Sequence, residues 1–334
     1  MTKTPKTWLA LLLSIGFSLG MMPAADASTA STTKKKPVAA KKASQPGVKT
    51  AKKPATKATR VAKRTVPAPV AAAADAQDDG TPPKLASSAV AVIDQSTGDV
   101  LYEKNANAIV PIASITKLMT AMVVLDAQPS LSEPITISRE DLDMLKGTSS
   151  RLAIGTTLSR EEMLRLALMS SENRASSALA RYYPGGRDAF IAAMNQKARD
   201  LGMTDSRFHD ATGLTPANVA SARDLAKLVD AAHQYPLIRE FSTSEEYQVA
   251  IRGRAQTFRN TNALVRNDTW QIGLSKTGYI SEAGKCLVMQ VWLNNKPTII
   301  VLLDSWGKLT RIGDAQRIKR WVEHYASGAN LIRG

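Results

Sequence analysis

Between residues 114 and 126 the chain reads Ser-Ile-Thr-Lys-Leu-Met-Thr-Ala-Met-Val-Val-Leu-Asp, which is apolar on nearly every side of a helix. Such a helix cannot lie on a surface, because burying one stripe would leave several of Leu118, Met119, Met122, Val123 and Leu125 in water. It has to run through the middle of a core. That in turn requires a large folded domain, and 334 residues with 44% hydrophobic content are enough to build one.

The flanking segments say what surrounds this helix. Residues 88–93, Ser-Ala-Val-Ala-Val-Ile, read as a buried strand, 94–98 as a turn and 99–103 as the hairpin partner. Ser159-Arg-Glu-Glu162 is a capping box opening a helix that runs to Leu168. Further helices are predicted over 175–182, 188–201 and 221–233. Strands follow over 248–251, 273–276, 285–293 and 298–303, and a last helix over 310–325. Two strands, a helical block, then strands and a terminal helix predict an α+β fold. Its antiparallel sheet is flanked by helices and carries a helical subdomain. Trp270, Trp292, Trp306 and Trp321 read as core or lid residues, and the single cysteine, Cys286, as a buried inert thiol.

The formal charge of +15 is concentrated in one place. Residues 34–64 hold twelve Lys or Arg and no acidic residue, and beyond them the charges nearly cancel. Residues 28–86 are rich in Ala, Lys, Pro and Thr and lack an apolar face, which predicts a disordered linker. It reads equally as an electrostatic tether to an anionic wall or membrane surface and as a self-repelling spacer. Before it, Lys3 and Lys6, an apolar run over 8–19 and Ala25-Asp26-Ala27 form a signal peptide over 1–27. The run is shorter than the ~20 residues of a membrane span. Export to the periplasm or cell envelope is therefore expected, and it argues against a nucleic-acid role for the basic tail.

Only His209, His233 and His324 are available as imidazoles, none in a metal-ligand spacing, so no metal or cofactor is expected. No Gly-x-Ser-x-Gly elbow or phosphate-binding loop occurs. Ser114-Ile-Thr-Lys117 instead places a hydroxyl and an amine on one face at a helix start. That pairs a nucleophile with a base, provided burial or a neighbouring cation lowers the lysine pKa from ~10.4. Ser-x-x-Lys alone is weak, since Ser31 with Lys34 and Ser305 with Lys308 also fit. Its company is more specific: Ser171-Glu-Asn173 follows about fifty residues later, and Lys276-Thr-Gly278 about a hundred beyond that.

This ordered trio resembles the Ser-x-x-Lys, Ser-x-Asn and Lys-Thr-Gly set of penicillin-binding proteins and serine β-lactamases. With 208–214 and Ser221-Ala-Arg-Asp-Leu225, the resemblance narrows to low-molecular-mass D-alanyl-D-alanine peptidases and spans about 87–325. It implies the serine β-lactamase/DD-peptidase-like fold for a catalytic domain over 87–334. It also implies an acyl-enzyme mechanism on peptidoglycan peptide stems, inhibited by β-lactam antibiotics. Ser114 would be the nucleophile, Lys117 its base and Ser171 a proton relay. Asn173 would hold the substrate amide and Thr277 its carboxylate. Lys276 would bind that carboxylate too and keep Lys117 neutral by repulsion. Gly278 would allow close approach, and Ser114 and Tyr279 would supply oxyanion-hole N–H groups. Arg223 is read as a solvated charge at a helix start.

The chain ends just after the helix that closes the domain, which favours the endopeptidase branch, acting on D-alanine–diaminopimelate cross-links, over the carboxypeptidase branch. Ser-Glu-Asn in place of Ser-Asp-Asn, without a deacylating glutamate loop, argues against a β-lactamase. A catalytically silent wall-binding scaffold is the competing reading, separated by whether a penicillin acylates the protein.

Overall fold

The computed structural model describes residues 81–307 and 309–331. The signal peptide expected over 1–27 and most of the linker over 28–86 lie outside these residues.

Strands β1 (Ser87–Asp94) and β2 (Val100–Lys104) form the predicted hairpin. The short β3 (Val110–Pro111) leads through a 3-10 turn, Ala113–Ile115, into α1 (Thr116–Asp126). Strands β4 (Pro134–Thr136) and β5 (Thr157–Ser159) pair and bracket the intervening loop. Helices α2 (Arg160–Met169), α3 (Asn173–Arg181) and α4 (Gly186–Asp200) follow. The Ser159 capping box is present, its hydroxyl accepting from the Glu162 N–H while Glu162 accepts from the Ser159 N–H. Then come β6 (Val219–Ala220), which pairs with β3, α5 (Ala222–His233) and α6 (Pro236–Thr243). The hairpin β7 (Glu246–Ile251) and β8 (Arg254–Arg259) precedes β9 (Gln271–Ile280), β10 (Gly284–Leu293), β11 (Lys296–Ser305) and α7 (Thr310–Leu331).

The main sheet is antiparallel throughout, in the order β2-β1-β11-β10-β9. Alternate residues on its strands face opposite layers. Val90, Val92, Leu287, Met289, Ile300 and Leu302 pack with Ala315 and Ile318 of α7. Ala89, Ala91, Val288, Ile299, Val301 and Leu303 join the core of the helical side. Covering both faces explains why these strands are almost continuously apolar.

On the helical side α1 packs against α2, α3, α4, α5 and α6, as a helix with no polar face requires. Its residues from Thr116 to Val124 are buried. Truncating one of them, such as Met122→Ala, typically costs about 2–5 kcal/mol. The buried hydroxyls of α1 are satisfied: Thr116 donates to the Ala113 carbonyl at 2.8 Å and Thr120 to that of Ala211 at 2.7 Å.

Sequence pattern alone left out α6, β8 and the two- and three-residue strands β3, β4, β5 and β6. Each is short, and α6 starts at Pro236 directly after α5, where pattern does not separate a new helix from a loop. Cys286 is buried as expected, and burial pushes its thiol up to about 11. Trp270 is core, but Trp306 is 70% exposed, because it sits where β11 has ended and α7 has not begun. For that tryptophan the core reading is corrected.

Candidate active site

Three segments remote in sequence meet at one groove of about 480 Å³. The turn before α1 brings Ser114, the α2–α3 junction Ser171 and Asn173, and β9 brings Thr277, Gly278 and Tyr279; all six line the groove. Lys117 and Lys276 lie beneath it, 0% and 1% exposed. The structure thus brings together all eight residues singled out from sequence.

Lys117 Nζ donates to Ser114 Oγ at 2.8 Å, to Asn173 Oδ1 at 2.8 Å and to the Thr212 carbonyl at 2.6 Å. Two of these acceptors are carbonyl oxygens and can only accept. When the amine is neutral they hold its two hydrogens, leaving the lone pair for the Ser114 hydroxyl. Burial drives the Lys117 ammonium down, and the carboxylates of Asp210 and Glu172 pull it partway back, leaving it at about 7.

Lys276 Nζ donates to Ser171 Oγ and to the Thr277 carbonyl, both at 3.0 Å. Its pKa is pushed well below the ordinary lysine value by burial first, then by Lys117 and Arg311. For Lys117 the leading cause is desolvation, and the repulsion between the two lysines is felt at Lys276.

The backbone around the groove is tight. A Cβ on Gly278 would stand 3.0 Å from the Ile112 carbonyl and 3.1 Å from the Ser114 nitrogen, so any side chain there would press β9 away from the nucleophile turn by a few tenths of an ångström. Gly213, at φ +79, presses against the same turn: its Cβ would fall 1.9 Å from the Ala113 carbonyl oxygen. Ala113 and Ser171 both hold positive φ, 47° and 62°, a conformation costing of order 1–3 kcal/mol in a non-glycine residue. Strain of this kind on both sides of Ser114 is a mark of a functional site.

Several lining residues were not legible in the sequence. Thr148 accepts from Asn173 Nδ2 at 3.1 Å, and Thr261 accepts from Thr277 Oγ1 at 2.7 Å. Arg311 of α7 donates to the Gly278 carbonyl at 3.4 Å and borders the groove, as does Lys146, which pairs with Glu282 at its mouth. None belongs to a short motif; each arrives from a distant element. Arg223 instead grips Glu103 at the surface through Nε and Nη2, so the charge read as solvated is ion-paired there, away from the groove. Among the described residues no group of three His, Cys, Asp or Glu is placed to hold a metal ion.

A family model described as D-alanyl-D-alanine carboxypeptidase matches residues 76–307, and the chain belongs to that S11 family of serine peptidases. The chain is 51% identical over 242 residues to a D-alanyl-D-alanine endopeptidase of Pseudomonas aeruginosa, covering 72% of this chain and 78% of that one. It is 48% identical to a protein of the same name in Escherichia coli, with the same coverage of each chain. In fold it is similar to the Streptomyces K15 DD-transpeptidase, with a TM-score of 0.68 at 28% identity over 74% of this chain and 99% of that structure. The antiparallel α+β architecture read from the sequence is that of this structural group.

Proposed function

We propose that the groove performs acyl transfer from D-alanyl peptide bonds, with the endopeptidic cut of D-alanine–diaminopimelate cross-links in peptidoglycan as its main reaction. The observation that carries the chemistry is the hydrogen bond between Ser114 and a buried lysine whose pKa lies near neutrality. Ser114 Oγ attacks the D-alanyl carbonyl carbon while Lys117 takes its proton. Backbone N–H groups of Ser114 and Tyr279 hold the oxyanion, each such donor being worth about 3 kcal/mol. The C–N bond then breaks. Ser171, bonded to Lys276, passes a proton to the departing amine and is reprotonated by the proton that Lys117 took from Ser114, leaving an ester on Ser114 and a neutral Lys117. Water then attacks the ester as Lys117 takes its proton, and that proton passes to Ser114 Oγ as the ester bond breaks.

The leaving residue, whether D-alanine or the D-centre of diaminopimelate, carries a carboxylate next to the nitrogen that departs. Thr277 and Arg311 stand on the wall where that carboxylate would lie. Preference for the cross-link is supported by the two bacterial relatives named as endopeptidases. A β-lactam presents a carboxylate and a strained amide to the same groups and would acylate Ser114. Residues 1–27 are read as a leader, so protein recovered from the envelope should begin at Ser28. The cations over 34–64 would give it a salt-sensitive attraction to anionic wall or lipid.

The test is digestion of a purified cross-linked muropeptide dimer and of a pentapeptide monomer, followed by mass spectrometry. Conversion of dimer to monomers without comparable loss of terminal D-alanine is expected. Release of D-alanine with the dimer left intact would make the protein a carboxypeptidase.

A further inference from the structure

The middle residue of the Ser171-Glu172-Asn173 motif has no part in the chemistry above, yet it is 7% exposed. A buried carboxylate is costly unless hydrogen-bonded or paired. Glu172 is both: Ser150 Oγ donates to Oε2 at 2.6 Å, and Arg151 Nε lies 3.8 Å from Oε1. Both partners belong to the loop between β4 and β5, not to the helices that carry the motif.

Three consecutive residues hold that loop. Glu172 takes Ser150 and Arg151, Asn173 Nδ2 donates to Thr148 Oγ1, and Arg174 donates to the Leu152 carbonyl at 2.8 Å. The loop is braced from its other side as well: Arg151 stacks on the Phe258 ring at 3.8 Å and donates to the Thr257 carbonyl. Ser150 Oγ also accepts from the Leu152 N–H, which fixes the turn. Thr148 donates its N–H and hydroxyl to Asp143 Oδ2 at 2.8 and 2.7 Å, and between that carboxylate and the braced segment after it Thr148 is held where it can orient the Asn173 amide, whose oxygen contacts Lys117.

We propose that Glu172 is a positioning residue of the acylation step, anchoring the 148–151 segment through Ser150 and Arg151 so that Thr148 fixes the Asn173 amide against Lys117. Its charge has a second effect. Lys117 is faced by Glu172 from the motif and by Asp210 from the segment before β6, and across the groove stand Lys276 of β9 and Arg311 of α7. Glu172 thus helps set where Lys117 loses its proton, in addition to where it sits.

The inference rests on Ser114 being the nucleophile, and the experiment separates the two. The rate of covalent labelling by a fluorescent penicillin is measured against pH for the full chain and for Glu172→Ala, Glu172→Gln and Ser150→Ala, with a melting curve for each. Glu172→Ala should slow labelling about 10- to 100-fold, the effect of a small displacement at a catalytic centre. Glu172→Gln, which still accepts from Ser150 but lacks the charge, should recover a large part of that loss. Its acid limb should move to lower pH by about half a unit or more, because a carboxylate that favoured protonated Lys117 is gone. Ser150→Ala should slow labelling and leave the acid limb in place. If Glu172→Ala does not fold, the Gln and Ser150 variants decide alone. A Glu172→Gln profile superimposable on the parent, with Ser150→Ala at the parent rate, overturns the inference. Absence of label on the parent removes the Ser114 reading itself.

Discussion

The two walls of the groove are built from opposite electrostatic materials. On the helical wall, Lys117 is ringed by oxygen acceptors and faces two carboxylates, Asp210 and Glu172. On the sheet wall, Lys276 faces two further cations, Lys117 and Arg311. Both lysines are depressed by burial, yet anions pull the pKa of one partway back up and like charges drive that of the other further down. The helical wall holds its amine at about 7 through protein groups alone. The sheet wall is short of one negative charge, and a substrate carboxylate is the group that would supply it.

This contrast can be broken at several points. The largest effect is expected from Ser114→Ala, which should abolish labelling by penicillin and reduce turnover by up to about 10⁶-fold, as loss of a peptidase nucleophile does. Any residual label would have to be mapped, and a label on another residue would displace the helical wall as the site of chemistry. Next is Gly278→Val. Its side chain meets the Ile112 carbonyl and Ser114 nitrogen across the seam where the walls touch, so acylation should fall by about 10²-fold or more. Parent-like acylation would mean that the seam is not tight.

Arg311→Ala sharpens the division between chemistry and recognition. Hydrogen bonds to charged groups contribute about 1.5–3 kcal/mol, so KM for a carboxylate-bearing substrate should rise about 10- to 100-fold. The maximal rate should change much less. A loss confined to the maximal rate would move Arg311 into the chemical step.

The pH profile addresses the helical wall directly. Lys117 acts as base only when unprotonated, so acylation should climb as pH passes about 7 and level off above it. A limb near the ordinary lysine value would show that burial does not govern this amine. The smallest effect belongs to the sheet wall. If an arriving carboxylate recharges Lys276, binding of a D-alanyl ligand to the Ser114→Ala protein should take up a fraction of a proton. Calorimetry in buffers of different ionisation enthalpy would read it, and zero uptake would mean that Lys276 holds one charge state throughout.

What the sequence disclosed follows the same line between local and remote. The apolar runs of α1 and of strands β1, β10 and β11 and the capping box of α2 are local patterns, and each became the element it implied. Ser114, Lys117, Ser171, Asn173 and the β9 residues sit in short motifs whose spacing is set by one turn of helix or strand. Thr148, Thr261 and Arg311 do not. Their places depend on how a loop, a strand connection and the last helix pack over the groove, and no window of adjacent residues encodes that. The balance of causes at Lys117 divides along the same line. Repulsion between two motif lysines is visible in sequence, whereas desolvation and the reach of Asp210 are properties of the packed site.

The register of the main sheet has a consequence for how the chain is made. β1 lies between β2 and β11, with Ser87 opposite Ser305. At ribosomal rates of roughly 5–20 residues per second, about 10 to 40 seconds separate synthesis of these two strands. During that interval β1 has one neighbour and an open edge, and the face that α7 covers has no helix to cover it. Closing a contact across so much chain is entropically slow. The main sheet therefore cannot be completed until nearly the last helix has been made, and anything that must act on the chain before that sheet closes has that whole period in which to do so.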